Sequence, residues 1–180
     1  MKRRHLVLGT VGAVAAGAGV GWNLWRASAP APAGAGLPAL DAPTQAFWQT
    51  SFSQIDGAVL SMASLRGQPL VLNFWATWCP PCVKEMPELD RFAKAFAVRG
   101  GRVVGLAVDN PTAVRQFLAK TPVGYAIALA GFEGTDLSRQ LGNSIGALPF
   151  TAVFDRSGRV VQRKLGETTF DELNGWVQTL

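Results

Sequence analysis

The two cysteines of the chain, Cys79 and Cys82, are separated by two residues and directly follow an apolar run that is typical of a buried strand. The residues after them predict a helix, which places the first sulfur at a helix N-terminus. Unpaired N–H groups and the helix dipole favour the thiolate over the thiol at that position. Because the thiolate is the form that attacks a disulfide, the pattern indicates thiol–disulfide exchange.

Two other uses of a cysteine pair compete with this interpretation. Zinc takes about four ligands, whereas the chain offers 2 cysteines and 1 histidine, His5, which lies near the start of the chain. A structural disulfide that closes so short a loop adds little stability. The lack of any later histidine also excludes Ser-His and Cys-His nucleophile pairs from the rest of the chain. We therefore expect a redox-active disulfide, with no metal and no other cofactor.

The hydrophobic pattern predicts the two elements that hold the cysteines. Residues 70–75 are nearly all apolar, as in a central strand that is covered on both faces. Residues 80–98 carry apolar side chains three and four positions apart, which predicts a one-faced helix. Pro87 lies inside this helix and should bend it. The pair is thus expected at a strand-to-helix junction.

The remaining pattern alternates strands and helices. We predict a hairpin over 52–64 around Asp56-Gly57, strands over 102–108 and 125–129, helices over 111–120 and 136–141, two antiparallel strands over 151–154 and 159–164, and a closing helix capped by Thr168 or Thr169. This order is typical of an α/β fold with a mixed sheet.

The first 28 residues have the character of a basic leader followed by an apolar export signal or membrane anchor. No charged residue occurs from Leu6 to Trp25, and about 20 apolar residues suffice to span a bilayer. The basic end should stay in the cytoplasm while the rest of the chain is exported. The periplasmic side of the bacterial inner membrane is the expected location, anchored or released by cleavage. Arg3-Arg4 leaves both general and twin-arginine export open.

Residues 29–46 are rich in Pro and Ala and predict a spacer, with the folded domain over 47–180. The basic residues number 17, but Lys2, Arg3, Arg4 and Arg26 account for four of them, so 13 remain against 12 acidic residues. A nearly neutral domain has no electrostatic footprint for nucleic acid, and we expect no nucleic-acid partner.

Three motifs carry a family resemblance. Trp75–Cys82, the run Lys84-Glu85-Met86-Pro87, and the run Leu148-Pro149-Phe150-Thr151 resemble the TlpA/ResA-like family of envelope thioredoxins. The resemblance covers roughly residues 50–180. It implies a thioredoxin fold, with a central mixed β-sheet flanked by helices and an N-terminal β-hairpin extension. It also implies electrons that enter from a membrane thiol donor and leave to client protein disulfides, such as those of apocytochromes c or copper-site assembly proteins.

The sequence and the resemblance together suggest roles around the cysteines. Cys79 is the expected nucleophile and Cys82, one helical turn on, the resolving thiol. Pro80 and Pro81 remove two N–H donors between the sulfurs, which would stabilise the thiolate less and make the dithiol more reducing; proline also simply suits a first helical turn. Trp78 is expected to line the substrate groove, and Trp75 to be core.

Three further residues have two interpretations each. Glu85 matches an active-site glutamate of the ResA-like proteins, or is a first-turn acid that faces the helix dipole. Pro149 matches the cis-proline that leaves the Leu148 backbone free for an extended substrate, or is a trans proline at a strand start. Asn73 stands where many cytosolic thioredoxins carry a buried Asp, and this replacement would leave Glu85 as the proton relay. Alternatively, Asn73 is a polar strand residue whose side chain is hydrogen-bonded to backbone groups.

A reductase of client disulfides is therefore the expected function. Two alternatives remain open at this point: a disulfide-forming oxidase, and a redox-inert binding module. A peroxidase is disfavoured because Ala76 stands where a Thr-x-x-Cys motif needs threonine.

Overall fold

The computed structural model of the chain describes residues 39–180. The helices are α1 (Ala42–Trp48), α2 (Pro80–Val98), α3 (Pro111–Lys120), α4 (Gly134–Gln140) and α5 (Phe170–Trp176), with a 3-10 turn at Met62–Leu65. The strands are β1 (Ser51–Gln54), β2 (Val59–Ser61), β3 (Leu70–Trp75), β4 (Arg102–Ala107), β5 (Ala126–Leu129), β6 (Phe150–Phe154) and β7 (Val160–Leu165). Strand β3 and helices α2 and α3 match the predicted spans.

The seven strands form one mixed sheet in the order β2-β1-β5-β4-β3-β6-β7. Strands β3, β4 and β5 are parallel, whereas β6 runs antiparallel to β3. The predicted hairpin, β1 with β2, extends the sheet beyond β5. These findings confirm the α/β prediction and its N-terminal hairpin extension.

Helices cover both faces of the sheet, and alternate residues of β3 point to opposite sides. Val71 and Trp75 belong to the core cluster that also contains both cysteines and the buried faces of α2, α3 and α5. Leu70, Leu72 and Phe74 belong to the other cluster, under α1 and α4. Strand β3 is buried throughout, as its apolar run predicts.

Helix α1 begins inside the segment for which the sequence predicts a spacer. Asp41 caps it by accepting a 2.7 Å hydrogen bond from the Thr44 N–H, and a proline occupies its first turn. Both features are helix-start signals, which the Pro/Ala-rich composition conceals. Trp48 at its end is buried and donates from Nε1 to the Gly158 carbonyl at 2.8 Å. The core therefore includes residues from 42 onward.

Gly158 is required by this contact. It has φ +87°, and a Cβ there would lie 2.9 Å from Nε1 of Trp48. The close approach of backbone and indole therefore needs a residue without a side chain.

The predicted leader, over 1–28, and the first part of the predicted spacer lie outside the described residues. Within residues 39–180, no helix combines the length and apolar character that a membrane crossing needs.

Candidate redox site

Cys79 is the N-cap residue of α2, one turn beyond the end of β3. Its Sγ is bonded to that of Cys82 at 1.99 Å, and the Cys82 N–H donates to Cys79 Sγ at 3.3 Å. An N-cap side chain normally accepts from the second or third helical residue. Here Pro81 occupies the second position and has no N–H, so Cys82 supplies this capping donor alone.

The two cysteines are both buried and differ slightly in exposure. Cys79 is 4% exposed and Cys82 0%, so an incoming group reaches Cys79 first. Trp78 is 60% exposed beside it, whereas Trp75 is fully buried. The prediction that Trp75 is core is confirmed, and the substrate-groove role of Trp78 stays a prediction.

The Leu148-Pro149 peptide bond is cis, as the resemblance implies. The Pro149 carbonyl accepts from the Gly166 N–H at 2.9 Å, which fixes this turn against the end of β7. Leu148 is half-buried and packs against the core cluster that contains both cysteines. The cysteine pair and the Leu148-Pro149 turn, which are expected to form the substrate groove, therefore pack against the same core cluster.

Glu85 is buried at 2% exposure and its carboxylate accepts three hydrogen bonds. Asn73 Nδ2 donates to Oε1 at 2.7 Å, and Thr168 donates to Oε2 from its N–H at 2.7 Å and from Oγ1 at 2.9 Å. The first turn of α2 contains no acid, so the helix-dipole interpretation of Glu85 is wrong. The carboxylate instead joins α2 to β3 and to the loop before α5.

Burial raises the pKa of Glu85 above its ordinary value, because the charged form loses hydration. The hydrogen bonds from Thr168 and Asn73 act in the opposite direction, and the nearby charge of Glu167 adds to the rise. A carboxyl with a raised pKa exchanges a proton closer to neutrality, which suits a proton acceptor one helical turn from Cys82.

The Nδ2 group of Asn73 donates to side chains rather than to the backbone. It also donates to Thr151 Oγ1 at 3.1 Å, whereas Oδ1 of Asn73 has no hydrogen-bond partner. Asn73 pairs with Thr151 across the sheet. Through its Nδ2 group, Asn73 therefore links Thr151 on β6 to Glu85 on α2.

Asp109 fixes the loop that leads into Cys79, a role that sequence reasoning missed. Its Oδ2 accepts from the Thr77 N–H at 3.0 Å and from Thr77 Oγ1 at 2.6 Å. Its Oδ1 accepts from the Asn110 N–H at 2.7 Å, and the residue is 2% exposed. In the sequence, Asp109-Asn110-Pro111 indicates only a helix start, and Asn110 does cap α3. The contact between Asp109 and Thr77 joins residues 32 positions apart, so no local sequence pattern predicts it.

The structure also distinguishes the two candidate capping threonines. Thr169 caps α5 in a reciprocal pair with Glu172, while Thr168 binds Glu85. Among residues 39–180, no three His, Cys, Asp or Glu side chains are placed to hold a metal ion.

The sequence profile of the redoxin family matches residues 29–176 of the chain. The chain belongs to the redoxin family. Among curated proteins, this redoxin is 31% identical over 129 residues to the thiol-disulfide oxidoreductase ResA of a Bacillus cereus strain, covering 71% of the chain and 72% of the relative. It is 28% identical over 128 residues to ResA of Bacillus subtilis (strain 168), covering 69% and 68%.

Solved structures agree with these relatives. This redoxin matches a thiol:disulfide interchange protein of the thioredoxin family from Chlorobium tepidum TLS with TM-score 0.65 and 30% identity, over 72% of the chain and 90% of that structure. It matches StoA from Bacillus subtilis with TM-score 0.60 and 25% identity, over 72% and 96%. The resemblance to TlpA/ResA-like proteins is confirmed, and the redoxin is a thiol–disulfide oxidoreductase of that type.

Proposed function

We propose that this redoxin reduces disulfides of client proteins on the periplasmic side of the bacterial inner membrane. The observation that supports this direction of electron transfer is the small number of hydrogen-bond donors to Cys79 Sγ. Of the two helical positions that could cap it, only Cys82 has an N–H, which donates at 3.3 Å. A reduced dithiol whose thiolate receives little stabilisation gives up its electrons more readily. The buried carboxylate of Glu85 acts in the same direction, since a negative charge nearby disfavours a thiolate.

The proposed order of attack is supported by the exposure of the two cysteines, 4% for Cys79 and 0% for Cys82. The Cys79 thiolate attacks one sulfur of the client disulfide, forms a mixed disulfide and releases the first client thiolate. The Cys82 thiol then loses its proton to Glu85 and attacks Cys79 Sγ. The second client thiolate leaves, and the Cys79–Cys82 disulfide forms. Two electrons have passed to the client, and a membrane dithiol donor restores them by the reverse exchange.

Trp78, Pro80, Pro81, Leu148 and Pro149 are proposed to bind the client around Cys79. The resemblance supports a Leu148 backbone that pairs with an extended client segment as an added strand. The clients proposed from the resemblance are apocytochromes c or copper-site assembly proteins. The N-terminal segment would hold the domain at the inner membrane.

The reduction potential of the Cys79–Cys82 disulfide tests the proposed direction of electron transfer. We expect a value below about −180 mV, whereas a value near about −120 mV would make the protein an oxidase. Pro81→Ala restores an N–H at the second capping position and should raise the potential. Pro80→Ala restores an N–H at the first helical position, which does not cap, and should change the potential less. Equal shifts in the two variants would contradict the role given to the missing donor.

Two further measurements test the rest of the proposal. A disulfide that resists mild reduction, and therefore leaves no thiol for iodoacetamide, would indicate a redox-inert binding module. A C-terminal reporter fusion that is active only in the cytoplasm would contradict the proposed location. Carbonate washing separates an anchored form from a cleaved one.

A further inference from the structure

Three segments of the chain meet at the edge of the sheet opposite to the disulfide. Strand β3 begins there, where Leu70 pairs with Arg102 at the start of β4 and with Phe154 at the end of β6. Strand β7 also begins there, because Val160 pairs with Phe154. The segments that reach this edge are residues 66–69, 99–102 and 155–159.

These three segments carry an excess of positive charge. Five of the 13 basic residues of the domain lie in them, against one of its 12 acidic residues, Asp155. Asp56, in the hairpin turn, lies beyond β5, two strands from β4. The near neutrality of the domain therefore conceals a positive surface, here called the arginine edge. Its five exposed arginines are Arg66, Arg99, Arg102, Arg156 and Arg159.

Neutral oxygens hold three of these arginines, which orients the side chains without neutralising their charge. Nη2 of Arg66 donates to a backbone carbonyl at 3.4 Å, Nη2 of Arg99 to an asparagine side chain at 3.0 Å, and Nε of Arg102 to a glutamine side chain at 3.0 Å. Among residues 39–180, Arg159 alone of the five forms an ion pair, with Asp155 at 3.0 Å. A guanidinium has five N–H donors, so most donors of this surface are available to an incoming anion.

The arginine edge is broad, and an exposed apolar side chain lies beside it. Four adjacent strands, β4, β3, β6 and β7, contribute to it, and it spans roughly 15 Å at about 4.8 Å per strand. Val98, the last residue of α2, adjoins Arg99 and is 88% exposed. Guanidinium groups bind phosphate oxygens in a fork, and an aliphatic side chain can enter the boundary between headgroups and acyl chains. A bilayer with anionic headgroups therefore fits this surface, whereas a single soluble phosphate would contact only part of it.

We propose that the arginine edge docks on the surface of an anionic phospholipid bilayer. This contact is made by the folded domain, is separate from the proposed N-terminal anchor, and does not depend on the direction of electron transfer. Strand β3 has 6 residues and rises about 3.3 Å per residue, so Cys79 lies roughly 20 Å further from the bilayer than the arginines. The docked domain therefore presents its disulfide away from the membrane.

Vesicle co-sedimentation of the full chain tests this surface. The protein is held in phosphatidylcholine nanodiscs, which accept any apolar N-terminal segment, and is mixed with sucrose-loaded vesicles. The vesicles contain phosphatidylcholine alone or phosphatidylcholine with phosphatidylglycerol. We expect binding to the phosphatidylglycerol vesicles only, and weaker binding as the salt concentration rises.

Substitution of single arginines locates the contact. Arg66→Gln and Arg156→Gln should each weaken binding about fivefold, the share of one arginine near an anionic surface. Arg115→Gln is the matched control, because Arg115 is exposed on α3 and forms no ion pair among the described residues. It changes the net charge equally and should weaken binding by about twofold or less. All variants keep the basic residues of the N-terminal segment, so the differences between them report the domain.

Other outcomes would overturn the bilayer as the occupant. Equal binding to both kinds of vesicle, or equal losses in Arg66→Gln and Arg115→Gln, would remove the arginine edge as a lipid contact. Competition by glycerol 3-phosphate at the concentration of the lipid phosphorus would indicate a site for a single phosphate. Tighter binding to a DNA duplex at the same salt concentration would assign the surface to another polyanion. The reduction potential and the circular dichroism spectrum should be unchanged in all three variants, which separates a lost contact from lost folding or lost redox function.

Discussion

The side-chain amide of Asn73 donates a 2.7 Å hydrogen bond to Oε1 of Glu85, which joins the central strand to the second turn of helix α2. Thr168 completes the arrangement from the loop before α5. A buried carboxylate, one turn beyond Cys82 on α2, is thus held by donors from two other elements. These donors offset part of the cost of burying the carboxylate, and burial still raises the pKa of Glu85.

Glu85→Gln should stabilise the protein increasingly as the pH rises. Burial raises the pKa of Glu85 in the folded protein. The wild-type carboxyl therefore contributes most to folding stability below the ordinary glutamate pKa. It loses that contribution as the pH rises through the raised pKa of the folded state. Asn73 can rotate its amide to offer Oδ1, which has no partner, to the new NH₂ group. Urea unfolding, measured as a function of pH, should show that the difference in unfolding free energy between variant and wild type grows by at most about 1.4 kcal/mol per pH unit.

The same variant tests the link to the cysteines. In the reduced protein, loss of the negative charge should move the alkylation-rate curve of the thiols to lower pH. Whole curves are compared, because ionisable groups that interact do not titrate with separate pKa values. Superimposable curves with unchanged client reduction would confine Glu85 to a structural role. A stability difference that does not change with pH would contradict the titration assigned to it.

Thr168→Val removes one donor to the Glu85 carboxylate and keeps the backbone N–H. We expect a loss of about 1–3 kcal/mol at neutral pH and above, where Glu85 carries its charge, and a smaller loss in acid. Thr169→Val is the matched control one residue on. It removes the cap of α5 and should cost about 1 kcal/mol, without moving the alkylation curve of the cysteines. Identical pH dependence in the two variants would count against the Thr168–Glu85 contact.

The cysteine site was predictable because its signals are local. An apolar run, a Cys-x-x-Cys pair and a proline-started helix are adjacent in the chain, and the strand and helix bounds followed from them. The partners of Glu85 were not predictable, since Asn73 and Thr168 approach it from 12 and 83 residues away. Helix α1 was missed for a different reason: its Asp41 cap lies in a segment whose composition resembles a linker.

Asp109→Ala should loosen the loop that ends at Cys79. It deletes the acceptor of both Thr77 donors, and we expect about 2–4 kcal/mol of lost stability, together with slower client reduction at a wild-type potential. The control is Asp136→Ala, which removes an exposed acid paired with Arg139 on α4 and should cost less than about 0.5 kcal/mol. Equal effects from the two variants would refute the positioning role of Asp109.

Trapping of the mixed disulfide tests the central claim, that Cys79 attacks client disulfides and Cys82 resolves them. The reduced Cys82→Ser variant is incubated with a disulfide peptide and analysed by intact mass and peptide mapping. The account predicts a stable adduct on Cys79, and no adduct for Cys79→Ser, whose remaining sulfur is 0% exposed in the disulfide form. An adduct on Cys82 in Cys79→Ser, with none on Cys79 in Cys82→Ser, would contradict the assigned order of attack.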